Sequence, residues 1–119
     1  MTIYKPFSVV DVPFPLVDPM EQKRRPALVL SDSSFQTANG AVVPAMITSA
    51  ERTSWSGDIP LRDWQKAGLK KPSILHWKIF TLDTSLIVGL RSTLSDYDQG
   101  MLRTGFAAHF AVLLGVTTK

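Results

Sequence analysis

Cysteine is absent from the 119 residues of the chain, and histidine occurs only twice. The first absence excludes a disulfide framework and any thiolate chemistry. The second leaves too few imidazoles for an all-histidine metal cluster, so neither a metal site nor a cofactor is expected. Long hydrophobic runs are also missing: the longest, FAAHFAVLLGV near the C-terminus, falls short of the roughly 20 residues that a membrane-crossing helix needs. The N-terminus lacks the basic-then-apolar layout of a secretory signal, so a cytoplasmic protein with no membrane contact is expected. There is no internal repeat, no low-complexity tract and no block of like charge longer than Lys23-Arg24-Arg25, which speaks against disorder. What remains is 45% hydrophobic and 19% charged residues, enough for one folded domain over residues 1–119 with a genuine core. The net charge of +3 suits a nucleic-acid partner without requiring one.

Local pattern gives a run of short strands closed by a helix. SVVDV (8–12) is β-branched, and Pro13 and Pro15 are expected to end that strand because proline cannot donate a ladder hydrogen bond. PALVLS (26–31) and AVVPAMITS (41–49) read as two strands pairing antiparallel, with Asn39-Gly40 supplying the turn between them. The stretch from 50 to 71 is polar and turn-rich; DIPL fits a short strand and LRDWQKAGL a helical turn closed by Gly68. SILHWKIFTLD (73–83) reads as one long strand, a candidate for the centre of the sheet. Ser95 with Asp98 three residues on is an N-cap signature, and Leu102, Phe106, Phe110 and Leu113 then recur at helical spacing. The fold class expected is mainly β (α+β): a small twisted antiparallel sheet or half-open barrel with a C-terminal helix.

Taken alone, several residues support two readings. Lys23-Arg24-Arg25 before Pro26 is either a solvated strand entrance or a grip for an anion. Thr48 and Ser49 are either an ordinary strand end or a pair of hydroxyls at a site. His76 is either a half-buried strand histidine or a proton carrier, whereas His109, in an apolar helix, reads as structural. Trp55 and Trp64 either stack on a base or partner side chain or pin a long loop. The Leu102, Phe106, Phe110 and Leu113 stripe is core or dimer contact.

In order along the chain, VVDVPFPLVD, RRPALVLS, VVPAMITS, KPSILHWKIFTLD and GLRSTLSDYD resemble the successive blocks of the MazF/PemK family, the toxins of bacterial toxin–antitoxin pairs. The resemblance implies an SH3-like barrel with added helices, CcdB/MazF-like, and a homodimer. It implies a sequence-specific, metal-independent endoribonuclease that cleaves single-stranded RNA, is inhibited by a cognate antitoxin, and contacts DNA only indirectly through that antitoxin. Two other functions stay open. One is a gyrase poison like the related CcdB group, against which the RP and ITS blocks count; the other is a catalytically degenerate module that keeps only the antitoxin groove.

Metal-free RNA cleavage uses the ribose 2′-OH to attack phosphorus and expel the 5′-oxygen, leaving a 2′,3′-cyclic phosphate and a 5′-OH. The protein must supply a proton acceptor, donors for charge building on the phosphoryl oxygens, and a proton for the leaving group. By the resemblance, Arg25, immediately before Pro26, is the phosphoryl clamp, and its planar fork suits that task. Pro26 also restricts Arg25 to extended backbone. Thr48 is the catalytic hydroxyl, with Ser49 a lesser substrate contact because strand neighbours point to opposite faces. Relatives place a histidine or glutamate in the loop before RP, or an arginine and aspartate on the strand that here reads ILHWKIF. This chain keeps Glu21 in that loop and lacks the strand acid, so Glu21 and His76 are the candidate proton carriers. Lys23, Arg24, Phe14, Trp77 and Lys78 complete the expected substrate contacts.

Overall fold

Alternating β-branched residues build the centre of the fold. In the computed structural model, which describes residues 2–14, 23–51 and 55–115, β1 (Ser8–Phe14) pairs antiparallel with β2 (Lys23–Val29). The chain then forms α1 (Ser33–Asn39), β3 (Ala41–Val42), β4 (Pro44–Ser49) and β5 (Ile59–Pro60). It continues through β6 (Ser73–Ile79), β7 (Leu82–Asp83), a 3-10 turn (Thr84–Leu86) and β8 (Gly89–Thr93), and ends in α2 (Asp96–His109) and α3 (Ala111–Leu114). Six strands make one antiparallel sheet in the order β5-β6-β4-β2-β1-β8, and β3 pairs with β7 in a separate ribbon. This is the mainly antiparallel sheet with a C-terminal helix that the pattern predicts. Among the described residues no helix is long and apolar enough to cross a membrane.

The period of two sends successive residues to two clusters. Val9, Leu28, Ala45, Ile47 and Leu75 face Leu102 and Phe106 of α2 and the loop residues Leu61, Ala67 and Leu69. Val10, Val12, Ala27, Val29 and Met46 face Val42, Leu82 and Ile87 on the other side. The Ser95 side chain accepts from Asp98 N and caps α2, as the sequence suggests. Asp98 does more than sit in the first turn: fully buried, its carboxylate accepts from the backbone N–H groups of Arg62 (3.0 Å) and Asp63 (2.9 Å). That ties the start of the helix to the loop after β5.

Several expected boundaries move, each for a physical reason. β1 runs through Pro13 to Phe14, opposite Arg24 and Lys23. β8 reaches only as far as Asp11, so beyond it β1 has one neighbour and tolerates a residue with no N–H. β2 and β4 do pair antiparallel, but α1 connects them rather than a tight turn. Asp32 caps this helix by accepting from Phe35 N at 3.0 Å, and Gly40 closes it at φ +61°. The 41–49 and 73–83 segments each break in two, because β3 and β7 leave the main sheet to pair with each other. β6 is therefore next to an edge strand, and β2 and β4 are central. The terminal helix stops at His109, and the short α3 that follows leaves Leu113 exposed.

Candidate active site

Extending the β2–β4 register from Ala27↔Met46 sets Arg25 level with Thr48 at one end of the two central strands. There Arg25, Pro26, Ile47, Thr48, Ser49 and Ser73 line a cleft of about 200 Å³, closed by Leu69, Lys70 and Lys71 of the loop before β6 and by Arg91 of β8. Pro26 belongs to β2 through its pairing with Asp11, which holds Arg25 in the extended backbone the RP pair demands. The Nε atom of Arg25 is buried without a hydrogen-bond partner among the described residues. Thr48 is half-buried; Ser49 is buried, with its hydroxyl 3.3 Å from the donating N–H of Glu51. Ser73 Oγ donates to Lys71 O at 2.8 Å. The described lining thus carries four cations and three hydroxyls, and no carboxylate or imidazole. Its chemistry favours a bound anion whose oxygens can take several donors at once.

Lys70, Lys71 and Arg91 were not singled out from sequence. The two lysines sit in the turn-rich 50–71 region, and Arg91 comes to the cleft only through pairing of β8 with β1. Arg91 Nε donates to Asp11 Oδ1 at 2.8 Å, and Nη1 donates to the carbonyl of Gly68 at 2.9 Å. The usable signal was the Lys-Lys pair closing a loop that returns to a strand beside Thr48.

The other expected site residues divide. Lys23 and Arg24 are exposed on β2 next to Arg25, and Phe14 closes β1 opposite Lys23. Glu21 lies outside the described residues. His76 is not in the cleft lining: its Nδ1 lies 2.8 Å from Asp58 Oδ2, and the Trp55 ring packs on it at 4.4 Å between centroids. The Asp58 carboxylate also accepts from Trp55 N at 2.8 Å and Trp77 N at 3.1 Å. Burial works to raise the pKa of Asp58, but the hydrogen bonds from His76, Trp55 and Trp77 outweigh it and hold the group below its usual value. Trp77 likewise sits outside the cleft lining. It packs edge-on against Phe106 and His109 of α2 and donates its indole N–H to Gly57 O. Lys78 follows it on β6, exposed. Trp64 packs on the core cluster beneath α2, whereas Trp55, with its ring on His76, stays 56% exposed. Among the described residues no three His, Asp or Glu side chains group as a metal site would require.

The sequence profile of the PemK-like, MazF-like toxins of type II toxin–antitoxin systems matches residues 5–110. The chain belongs to this family. This MazF-like toxin also shares its fold with solved structures of low sequence identity. An endoribonuclease in complex with its cognate antitoxin from a mycobacterial species superposes at a TM-score of 0.70, with 13% identity over 100% of both chains. MazF from Deinococcus radiodurans gives 0.69 and 18% identity, covering 93% of this chain and 99% of that one. The Mycobacterium tuberculosis toxin MazF-mt6 gives 0.68 and 18%, covering 90% and 97%. No curated protein sequence matches the chain significantly. In this MazF-like toxin the matched segment includes Arg25, Thr48 and the whole described cleft lining.

Proposed function

We propose that the chain is a ribonuclease toxin that cuts single-stranded RNA in the cytoplasm without a metal ion and is silenced by a cognate antitoxin. The observation that carries this reading is the meeting of Arg25 and Thr48, 23 positions apart in sequence, with Lys70, Lys71 and Arg91 in one cleft. A phosphodiester seated there lies against the Arg25 guanidinium, which lines the cleft. Four cations and three hydroxyls around the cleft favour an anionic oxygen before any reaction starts.

In the proposed reaction, Arg25 donates to the non-bridging oxygens and gains strength as charge builds on them. The Thr48 hydroxyl accepts from the 2′-OH or donates to the phosphate and aligns the nucleophile. The 2′-oxygen attacks phosphorus as it gives up its proton, the 5′-oxygen leaves and takes a proton from solvent water, and the products are a 2′,3′-cyclic phosphate and a 5′-OH. Because the described lining holds no carboxylate or imidazole, Glu21, two residues before β2, is the proposed proton acceptor. His76, outside the described lining and paired with Asp58, is the less favoured proton carrier. Lys23, Arg24 and Ser49 add general attraction and a further polar contact to the strand.

The family membership and the mycobacterial endoribonuclease solved in complex with its cognate antitoxin support the antitoxin partner. The exposed apolar side chains of α3 support a homodimer. The test is cleavage of a long single-stranded RNA in EDTA, with the cut ends mapped. Wild-type protein is expected to leave cyclic phosphate ends, and Arg25→Ala to lower the rate by about 10²-fold or more. Cleavage that needs added metal, or that survives the substitution, overturns the mechanism. The absence of an acid from the described lining favours one second reading, an antitoxin-binding module without catalysis, for which tight antitoxin binding with no cut RNA is the signature.

A further inference from the structure

The segment between β5 and β6 is anchored on the core and again at the cleft rim. Leu61, Ala67 and Leu69 are buried against the core, and Asp98 holds the backbone of Arg62 and Asp63. At the cleft end Ser73 Oγ donates to the carbonyl of Lys71 at 2.8 Å, Ala50 N donates to the carbonyl of Pro72 at 3.0 Å, and Arg91 reaches across from β8. Its guanidinium joins Asp11 of β1 to the carbonyl of Gly68, spanning residues 80 apart and 23 apart in sequence. The contact is close: a Cβ built on Gly68 would lie 3.1 Å from Arg91 Cβ, and Gly68 has φ +81°, a conformation that glycine adopts without strain. Two residues further on come Lys70 and Lys71 at the cleft rim. Both are exposed, and neither has a carboxylate partner among the described residues. The positive charge of Arg91 is offset by Asp11 at 2.8 Å, whereas the charges of the two lysines are left for a ligand.

Resting on the ribonuclease reading above, we propose that Lys70 and Lys71 form a second RNA-backbone contact beside the Arg25–Thr48 centre, and that Arg91, braced by Asp11, is the positioning residue that holds them there. An extended single strand with one phosphate at Arg25 carries neighbouring phosphates past the rim, where two ammonium groups meet them as point charges. Two long lysine side chains contribute most when their backbone is fixed, because less freedom is lost on binding. Arg91 adds to the Ser73 and Ala50 ties on the far side of the lysines, through two donors whose acceptors come from different parts of the chain. The pair Asp11–Arg91 thus acts on substrate affinity and not on the chemical step.

The test measures binding of a short fluorescein-labelled 2′-O-methyl oligonucleotide, which the proposed reaction cannot cleave because it lacks a 2′-OH. Lys70→Ala/Lys71→Ala is expected to weaken binding roughly tenfold and to flatten the salt dependence by about 0.7 in the log–log slope for each phosphate no longer neutralised. Arg91→Met is expected to weaken binding several-fold in the parent protein and to have almost no further effect in the double-lysine variant, since the two changes act through the same lysine–phosphate interaction. Asp11→Asn should do the same more mildly, and Arg91→Lys should recover part of the affinity. Trypsin should cut more readily after Lys70 in Arg91→Met than in the parent, the Lys71-Pro72 bond being resistant. An Arg91→Met effect of equal size in both backgrounds, or none in the parent, overturns the positioning role. A parent protein that does not bind the oligonucleotide overturns the RNA reading and the clamp together. Binding that behaves as expected while the matching RNA is left uncut supports the clamp and overturns catalysis alone.

Discussion

Asp58 is a carboxylate with only 2% of its side chain exposed, and three donors converge on it from Trp55, His76 and Trp77. These hydrogen bonds hold its pKa below the usual 3.8 in spite of burial. A folded-state pKa depressed in this way contributes stability that is fully present above the unfolded value and lost as pH falls through the folded one. Asp58→Asn is expected to destabilise the protein by about 1–3 kcal/mol near neutral pH, because an amide cannot accept all three bonds and leaves buried donors unpaired. The gap in melting temperature between the two proteins should then narrow on acidification below about pH 4. A gap that stays constant down to low pH would show that the carboxylate charge contributes nothing. At this scale the sequence is an uneven guide. Arg25 and Thr48 were singled out through the family resemblance, since local pattern alone fits a solvated strand entrance and an ordinary strand end; the fold brings both into one cleft lining. Asp58 and Arg91 were not, since their meaning lies in partners 18 and 80 positions away, and local pattern carries no record of such pairings.

Among the elements, α2 shows how the cleft is supported from behind. Gly105 lies where the helix crosses β5 and β6. A Cβ there would come within 2.8 Å of Ile59 Cδ1 and 3.2 Å of Trp77 Cζ2. Glycine in a helix interior is ordinarily unfavourable relative to alanine, so its place here follows from the approach of the helix to the sheet. Gly105→Val adds a branched side chain to a full contact and is expected to cost about 1–3 kcal/mol by overpacking. Urea denaturation measures it directly, and an unchanged midpoint would mean that the helix shifts to make room. The strands and the N-cap at Ser95 were readable from β-branched runs and from Ser-x-x-Asp spacing. The helix α1 was missed although Asp32 and Gly40 bracket it, because the Asn-Gly pair fits a hairpin turn as well as a helix end. The breaks at 43 and at 80–81 were unreadable for another reason: each half of a continuous apolar run is a good strand, and only the pairing of β3 with β7 decides that they separate.

For the molecule as a whole, the uneven feature is the apolar end formed with α3. Val112, Leu113 and Leu114 are 97%, 81% and 59% exposed, and beside them Phe7, Leu30, Ile79, Leu102, Phe106 and Phe110 line an open groove of about 680 Å³. Leaving such side chains in water forgoes about 1.5–3 kcal/mol each relative to full burial, and a contiguous apolar patch of this kind marks an interaction surface. The stripe read from sequence as core or dimer contact divides: Leu102 and Phe106 pack under the helix, and Leu113 faces out. A two-fold pairing of this surface would bury the same side chains from both copies, which is how a symmetric homodimer satisfies one patch with itself. Leu113→Asp is expected to give a monomer in light scattering while keeping the far-ultraviolet circular dichroism of the parent, because Leu113 adds almost nothing to the core of a single chain. Two charges placed opposite each other across the axis would oppose association by several kcal/mol. A variant that still measures as a dimer would move the interface away from α3, and one that loses its secondary structure would show that the face belongs to the monomer's own core.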